Sequence, residues 1–245
     1  MDMVLLDWTR MGRSYCLAGV VADGSGYRVV RPLMAKLKNS PFRNTGWSSY
    51  LMDGYFRWEI FELIGPREAV PEPPHCEDLW VRSLRPRKRS ASANERQAIL
   101  AATTVPDNEP IFGAPFQVTR TAAFLKAGTG TRSLTTIVVP TNGINFTGAI
   151  RDGESSADYR VKLEVPGIGC RTLPLKDHHL LTWIESLKCG VDESACRLND
   201  IVQHKSGQVA VRLGLSRPFQ SGAENCESAC WLMADGFFSY SDPQP

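Results

Sequence analysis

A run of positive charge lies near the middle of the chain, directly before a predicted helix. Five basic residues fall within eight positions: Arg82, Arg85, Arg87, Lys88 and Arg89. Pro86 favours an extended backbone, and the Ser92-Ala93-Asn94-Glu95 sequence that follows is a capping box. Because positive charge beside a helix N-terminus attracts phosphate, this run is a candidate anion site without base specificity. A solvated loop, or a basic strand edge that blocks aggregation between sheets, explains the same residues.

Basic and aromatic residues are also interleaved in the first predicted hairpin and in the loop after it. Trp8 precedes the hairpin, which carries Arg13, Tyr15, Arg28 and Arg31, and the loop holds Lys36, Lys38, Phe42, Arg43 and Trp47. Single-stranded nucleic acid is bound by such sets, because cations contact its phosphates while rings stack on its bases. The alternative is that the rings fill a core and the charges are solvated.

The cluster His75-Cys76-Glu77-Asp78 follows a proline-rich segment and forms a second candidate site. A carboxylate orients a neighbouring imidazole and raises its basicity, so His75 with Glu77 or Asp78 is a candidate for acid–base chemistry or metal binding. A hydrogen-bonded histidine at the corner of a sheet is the alternative interpretation.

A third polar group, Asp177-His178-His179, is predicted at the start of a helix. The helix dipole favours a carboxylate at Asp177, which acts as the cap, and disfavours protonated histidines beside it. Neutral imidazoles are available as ligands or donors, which adds Asp177 and His178 to the alternative polar site. Adjacent helical residues point about 100° apart, so one histidine is expected to be exposed.

The cysteines predict neither disulfides nor a metal site. Seven cysteines, an odd number, are spread over a chain long enough to bury a core, which favours reduced thiols. The pairs Cys189-x6-Cys196 and Cys226-x3-Cys230 have looser spacing than zinc ligands usually show, although His178, His179 and His204 lie in the same half. The sequence therefore predicts no metal and no cofactor, and it lacks phosphate-loop, dinucleotide-binding, nucleophile-elbow and zinc-protease signatures.

The elements that must position these residues are mainly strands. In the first half, strands are predicted at 4–6, 14–21, 27–32, 56–60 and 79–81, followed by a short helix capped at Ser92. In Phe56-Arg57-Trp58-Glu59-Ile60 the alternation predicts that Phe56, Trp58 and Ile60 face a core. Glycine and proline between residues 101 and 132 predict a linker.

The second half predicts strands at 133–139, 159–165, 170–173, 208–216 and 229–237, with a helix that begins after Asp177. Three strands, a helix and two strands is the element order of an OB-fold, a five-stranded Greek-key barrel. We therefore expect a mostly β protein with a few short helices, built as two tandem OB-like five-stranded barrels over 1–115, with an appended helix, and 131–245. One larger mixed β-barrel is the alternative.

Several segments resemble the bacterial dual OB-containing domain family. They are Cys16–Val20 and Val29–Pro32 of the first hairpin, Pro74–Asp78, Leu173–Asp177, and the closing strands Arg212–Ser216 and Cys230–Ala234. The resemblance spans nearly the whole chain. It implies two barrels and a role beside nucleic-acid-handling or defence proteins, and it supplies no catalytic residue.

Composition sets the remaining expectations. The chain has 42% hydrophobic and 22% charged residues with a net charge of +2, typical of a globular protein, and it has no basic leader or long apolar stretch, which predicts a cytoplasmic location. We expect a non-enzymatic module that binds nucleic acid, single strands or RNA rather than duplex, or a nucleotide. The alternatives are a small enzyme acting on nucleic acid or nucleotides through His75, and an adaptor that binds protein through the second barrel.

Overall fold

The computed structural model describes residues 1–11, 14–24, 26–34, 47, 55–106, 109–119, 122–150, 157–203, 207–219 and 228–239. These residues form curled sheets with three α-helices among them. The predicted class, mostly β with a few helices in tandem barrel-like units, is confirmed. No helix among the described residues is long and apolar enough to cross a membrane.

A seven-stranded sheet makes up the first half. Its strands are β1 (Asp2–Met11), β2 (Ser14–Ala22), β3 (Tyr27–Met34), β4 (Glu59–Ile64), β5 (Arg67–Glu68), β6 (Asp78–Val81) and β7 (Ser83–Ser90). They lie in the order β5-β6-β3-β2-β1-β4-β7, in which only the β3–β6 pair is parallel. The half therefore has more strands than the five predicted, and β7 lies at one edge.

The second half contains two smaller sheets. One has the order β10-β14-β15-β9-β8, formed by β8 (Gln117–Val118), β9 (Ala123–Lys126), β10 (Leu134–Pro140), β14 (Gln208–Leu215) and β15 (Ala229–Ser239). The other has the order β11-β12-β13, formed by β11 (Asn145–Ile150), β12 (Ala157–Val165) and β13 (Gly169–Pro174). The five strands predicted for this half are present, and β8, β9 and β11 are additional.

Three helices connect these sheets. The first, α1 (Ala93–Thr103), begins at the predicted capping box, in which Ser92 and Glu95 satisfy each other's backbone N–H groups. The second, α2 (His178–Ser186), begins at Asp177 as predicted, and α3 (Val191–Gln203), which was not predicted, packs on β11.

Each half has its own core, and a third core lies between the halves. That third core joins Leu6 and Val20 of the first sheet to Ala210 and Phe238 of the second half, with α1 contributing Ile99 and Leu100. Burial of apolar surface between the halves stabilises their contact. The segment predicted as a linker supplies Ile111 and Phe112 to the second core, so it is packed rather than extended.

The sequence prediction for 56–60 was wrong in part. Trp58 and Ile60 are buried, but Phe56 is 62% exposed because β4 begins only at Glu59. Trp58 lies in the turn before the strand with φ of 70°, so the strict alternation assumed from the sequence does not extend back to Phe56.

Candidate nucleic-acid interface

The basic run forms an exposed edge strand. β7 pairs with β4 on one side, and its charged residues are exposed while Leu84 and Pro86 are half-buried. Pro86 has no N–H to offer to a neighbouring strand, and charge on an edge strand opposes pairing with another sheet. The strand therefore presents a row of cations to solvent, with a register irregularity around Lys88, where φ is 54°.

Acidic neighbours neutralise part of this row. Glu62 forms ion pairs with Arg85 at 3.1 Å and with Arg87 at 3.5 Å. Arg87 also pairs with Asp2 at 3.0 Å. Arg89 lies 3.9 Å from Glu95. Within the described part of the chain, Arg82 and Lys88 have no carboxylate partner.

These contacts leave the surface cationic. Five basic residues face three carboxylates, and every pair among them is partly exposed, with Arg85 at 65%. Exposed ion pairs contribute only about 0–1 kcal/mol each, so a phosphate replaces a carboxylate partner at little cost. The N-terminus of α1, in contrast, is already occupied by Glu95, and no open anion site exists at its capping box.

The predicted face on the first hairpin is not a cationic surface. Arg31 is 3% exposed and Trp47 is 3% exposed, with the indole N–H of Trp47 donating to the Pro32 carbonyl at 2.9 Å. Tyr15 is half-buried and packs against the first core, and Arg28 lies 3.4 Å from Glu68. The prediction that Arg31 contacts a ligand across this face was therefore wrong, because the second half covers it through Ser133. Trp47 packs in the first core instead of standing on the hairpin surface.

Four other residues predicted to bind phosphate lie outside the described residues. They are Arg13, Lys36, Lys38 and Arg43. Their assignment to a nucleic-acid surface stays a prediction.

The His75 cluster connects the two halves in the interior. Arg31 donates to His75 Nδ1 at 2.7 Å, and since a guanidinium can only donate, Nδ1 accepts. The proton is then on Nε2, which donates to the Ser216 carbonyl at 3.1 Å. Burial and the charge of Arg31 lower the pKa of His75 to about 2, so the ring is neutral.

This geometry favours the alternative interpretation of His75 as a hydrogen-bonded histidine. Both ring nitrogens are used, so the Cys230 thiol 3.9 Å from Nε2 has no free base beside it. Glu77 accepts from the Ser133 N–H at 2.6 Å, from its hydroxyl at 2.9 Å and from Leu134 N–H at 3.1 Å. No free acid–base pair remains at Glu77 and His75.

Asp78 and Asp177 each form an ion pair with an arginine of the other half. Asp78 forms an ion pair with Arg217 at 2.6 Å, and its carboxylate lies 3.5 Å from the Arg31 guanidinium. Asp177 caps α2 through the Leu180 N–H at 3.1 Å and forms an ion pair with Arg57.

His178 does not combine with these carboxylates into one site. Its ring packs on Trp8, with centroids 4.3 Å apart, and on Tyr15 at 4.8 Å. Burial, reinforced by the charge of Arg10, lowers its pKa and so favours the neutral imidazole, whereas the cause expected from the sequence was the helix dipole. The alternative polar site is thus divided between two places in the fold.

Sequence reasoning missed the most deeply buried charges. Arg212 donates to Asp7 from Nε at 3.0 Å and from Nη2 at 2.7 Å, and both side chains are essentially inaccessible. Its Nη1 donates to Thr136 Oγ1 at 3.1 Å. A signal existed, since Asp7 and Arg212 are opposite charges each placed within an apolar strand sequence.

Asp235 lies beside this pair. Burial raises its pKa to about 7, and the negative charge of Asp7 adds to the shift. β-Bulges occur at both acids, one between Leu5 and Asp7 in β1 and one where β15 inserts Asp235 opposite Arg212 and Leu213. A bulge re-aims side chains, and these two bring three ionisable groups, Asp7, Arg212 and Asp235, together at the contact between halves.

The cysteines are free thiols. Cys16, Cys76, Cys170, Cys189, Cys196 and Cys230 form no disulfide, and Cys226 lies outside the described residues. Across the described residues, no three His, Cys, Asp or Glu side chains come together as a metal-ligand set.

Comparison with known proteins gives little guidance. Neither a protein-family model nor a curated protein matches this sequence. Among solved structures the chain is similar to a murine DNA-binding protein bound to double-stranded DNA, with a TM-score of 0.31 and 8% identity over 97% of this chain and 95% of that one. Likeness at this level establishes no shared function.

Proposed function

We propose that this protein is a non-enzymatic module that binds nucleic acid, single-stranded DNA or RNA rather than duplex, along β7. The observation that carries the proposal is the exposed edge strand with four cations, together with Arg82 just before it, against three carboxylates. A row of exposed cations matches the phosphates of a polyanion, and the contacts are phosphate contacts without base specificity. The proposal also includes a place beside nucleic-acid-processing or defence proteins in a bacterial cytoplasm; this part rests on the sequence resemblance to the dual OB-containing domain family, which no family model matches.

The difference between buried and exposed arginines supports β7 as the binding surface. Arg31 and Arg212 are committed to the interior, whereas Arg85 and Arg87 are held by exposed pairs that phosphate can replace. Among the described residues, Arg82 and Lys88 have no carboxylate that a phosphate would have to replace. The surface can therefore bind a polyanion without any cost in the buried network.

A fluorescence-anisotropy titration tests the proposal. Labelled oligothymidylate, oligouridylate and a duplex of the same length are titrated with the protein at about 50 mM and about 200 mM salt. We expect binding that weakens steeply with salt, tightest for the single strands. We expect the variant Arg82→Gln/Arg85→Gln/Lys88→Gln to bind every one of these oligonucleotides more weakly than the wild type does.

A charge-matched control separates this surface from net charge. Lys162→Gln/Lys188→Gln/Arg197→Gln removes three exposed cations from the second half. The control is expected to bind as the wild type does. No binding at the lower salt, or equal loss in the two triple variants, contradicts the proposal.

A further inference from the structure

A cavity of about 200 Å³ lies beside β7. Its inner wall is formed by Trp47 and Phe61, which are almost fully buried, and half-buried Tyr55 stands edge-on to Phe61 with ring centroids 5.0 Å apart. Leu84 and Pro86 of β7 form the side next to the basic strand. The cavity is therefore lined mainly by rings and apolar groups held by the sheet.

The alternation of β7 divides its residues between two faces. Leu84 and Pro86 face the cavity, whereas Arg85 and Arg87 point to the opposite face, where both contact Glu62. Arg82 lies on the cavity side and lines its polar rim, exposed and without a carboxylate partner among the described residues. An uncommitted cation thus borders an aromatic pocket.

We propose that this cavity holds one base of a nucleic-acid strand that lies along β7, with Arg82 binding a phosphate of the same nucleotide. This inference rests on the proposed function and adds the point at which a base, rather than the backbone alone, is recognised. Aromatic side chains accept any base, because every base has a π-face. The charge of Arg82 at the edge of the cavity selects the occupant, because it favours a ligand that is both ring-bearing and anionic.

The size of the cavity limits its occupant. An apolar protein cavity of about 150 Å³ admits benzene, whereas pockets for drug-sized ligands measure about 300–1,000 Å³. The cavity beside β7 falls between these values, so it fits one ring system and leaves the sugar and phosphate outside. The phosphate is then placed at the rim, where Arg82 is found.

The test compares an oligothymidylate with an abasic oligonucleotide of equal length, which keeps the phosphates and removes the bases. Both are titrated at about 50 mM salt. We expect the wild type to bind the oligothymidylate about 5- to 150-fold more tightly, the range that stacking of one base supplies. Leu84→Trp, which fills the cavity, is expected to lose this preference and to keep its affinity for the abasic oligonucleotide.

A control variant and the outcomes complete the test. Val118→Trp adds the same side chain on an exposed edge strand of the second half and is expected to keep the preference. Equal binding of the two oligonucleotides by wild type overturns the inference and leaves the proposed function standing. If neither the oligothymidylate nor the abasic oligonucleotide binds, the proposed function itself is contradicted. If Leu84→Trp does not fold, the wild-type comparison decides alone.

Discussion

Replacing Arg212 with Met is expected to destabilise the whole protein, because its ion pair with Asp7 joins the two halves in the interior. The change leaves the Asp7 carboxylate buried without its guanidinium partner, and Asp235 stands close by. It also removes the hydrogen bond to Thr136. Removing one partner of a buried pair is costly because an uncompensated charge stays behind.

The magnitude follows from this geometry. Breaking a buried ion pair from one side costs about 3–5 kcal/mol in the free energy of unfolding. For a chain of this length each kcal/mol lowers the melting temperature by about 2–4 °C, which gives a decrease of about 6–20 °C. Circular dichroism during heating and guanidinium titration measure the two quantities.

Two further variants test whether this loss comes from the buried ion pair. Arg197→Met breaks an exposed pair with Glu193 and is expected to change the melting temperature little. Asp7→Leu/Arg212→Met replaces both charges by apolar groups and is expected to recover most of the loss. A decrease in Arg212→Met no larger than that in Arg197→Met refutes the structural role of the pair.

Further predictions concern the same region and α1. The folded protein keeps the Asp235 proton up to about pH 7 while the unfolded chain releases it near pH 4, so rising pH lowers the free energy of unfolding over this range. In denaturation at several pH values, the advantage of Asp235→Asn over wild type should grow up to about pH 7 and then level off; a constant difference contradicts this. Gly214→Ala places a Cβ against the Asp235 carboxylate and should cost about 1–3 kcal/mol, whereas Gly190→Ala, which meets nothing within 4 Å, should not. Ser92→Ala should cost about 1 kcal/mol by chemical denaturation because it removes the cap of α1, and an unchanged midpoint would argue against that cap.

Local signals in the sequence were sufficient for much of the fold. The capping box at Ser92 and the cap at Asp177 identified the starts of α1 and α2, because both depend on side chains within three residues of the helix start. The strand at 208–216 was identified from its apolar content. α3 was missed, and β11 was missed because its burial depends on α3, which packs on it.

The site was less accessible to sequence reasoning. The exposed basic run needed no tertiary information, since charge at a strand edge stays in solvent. The burial of Arg31 could not be predicted, because a strand pattern does not reveal which face another half of the chain covers. Trp47 lies in a loop sequence, which carries no alternation to indicate that the ring packs in the first core. The bulges near Asp7 and Asp235 insert single residues into strands that are buried over most of their length, so no alternation marks them and the juxtaposition of the two acids appears only in three dimensions.

If β7 and Arg82 contact phosphates, binding to a single strand must weaken with salt in proportion to the number of contacts. Five phosphate contacts give a slope of log K against log salt of about −3.5, from about −0.7 for each contact with a single strand. Arg82→Gln/Arg85→Gln/Lys88→Gln retains two contacts, so we expect a slope of about −1.4. A slope in this variant equal to that of the wild type would show that the three replaced residues make no phosphate contacts.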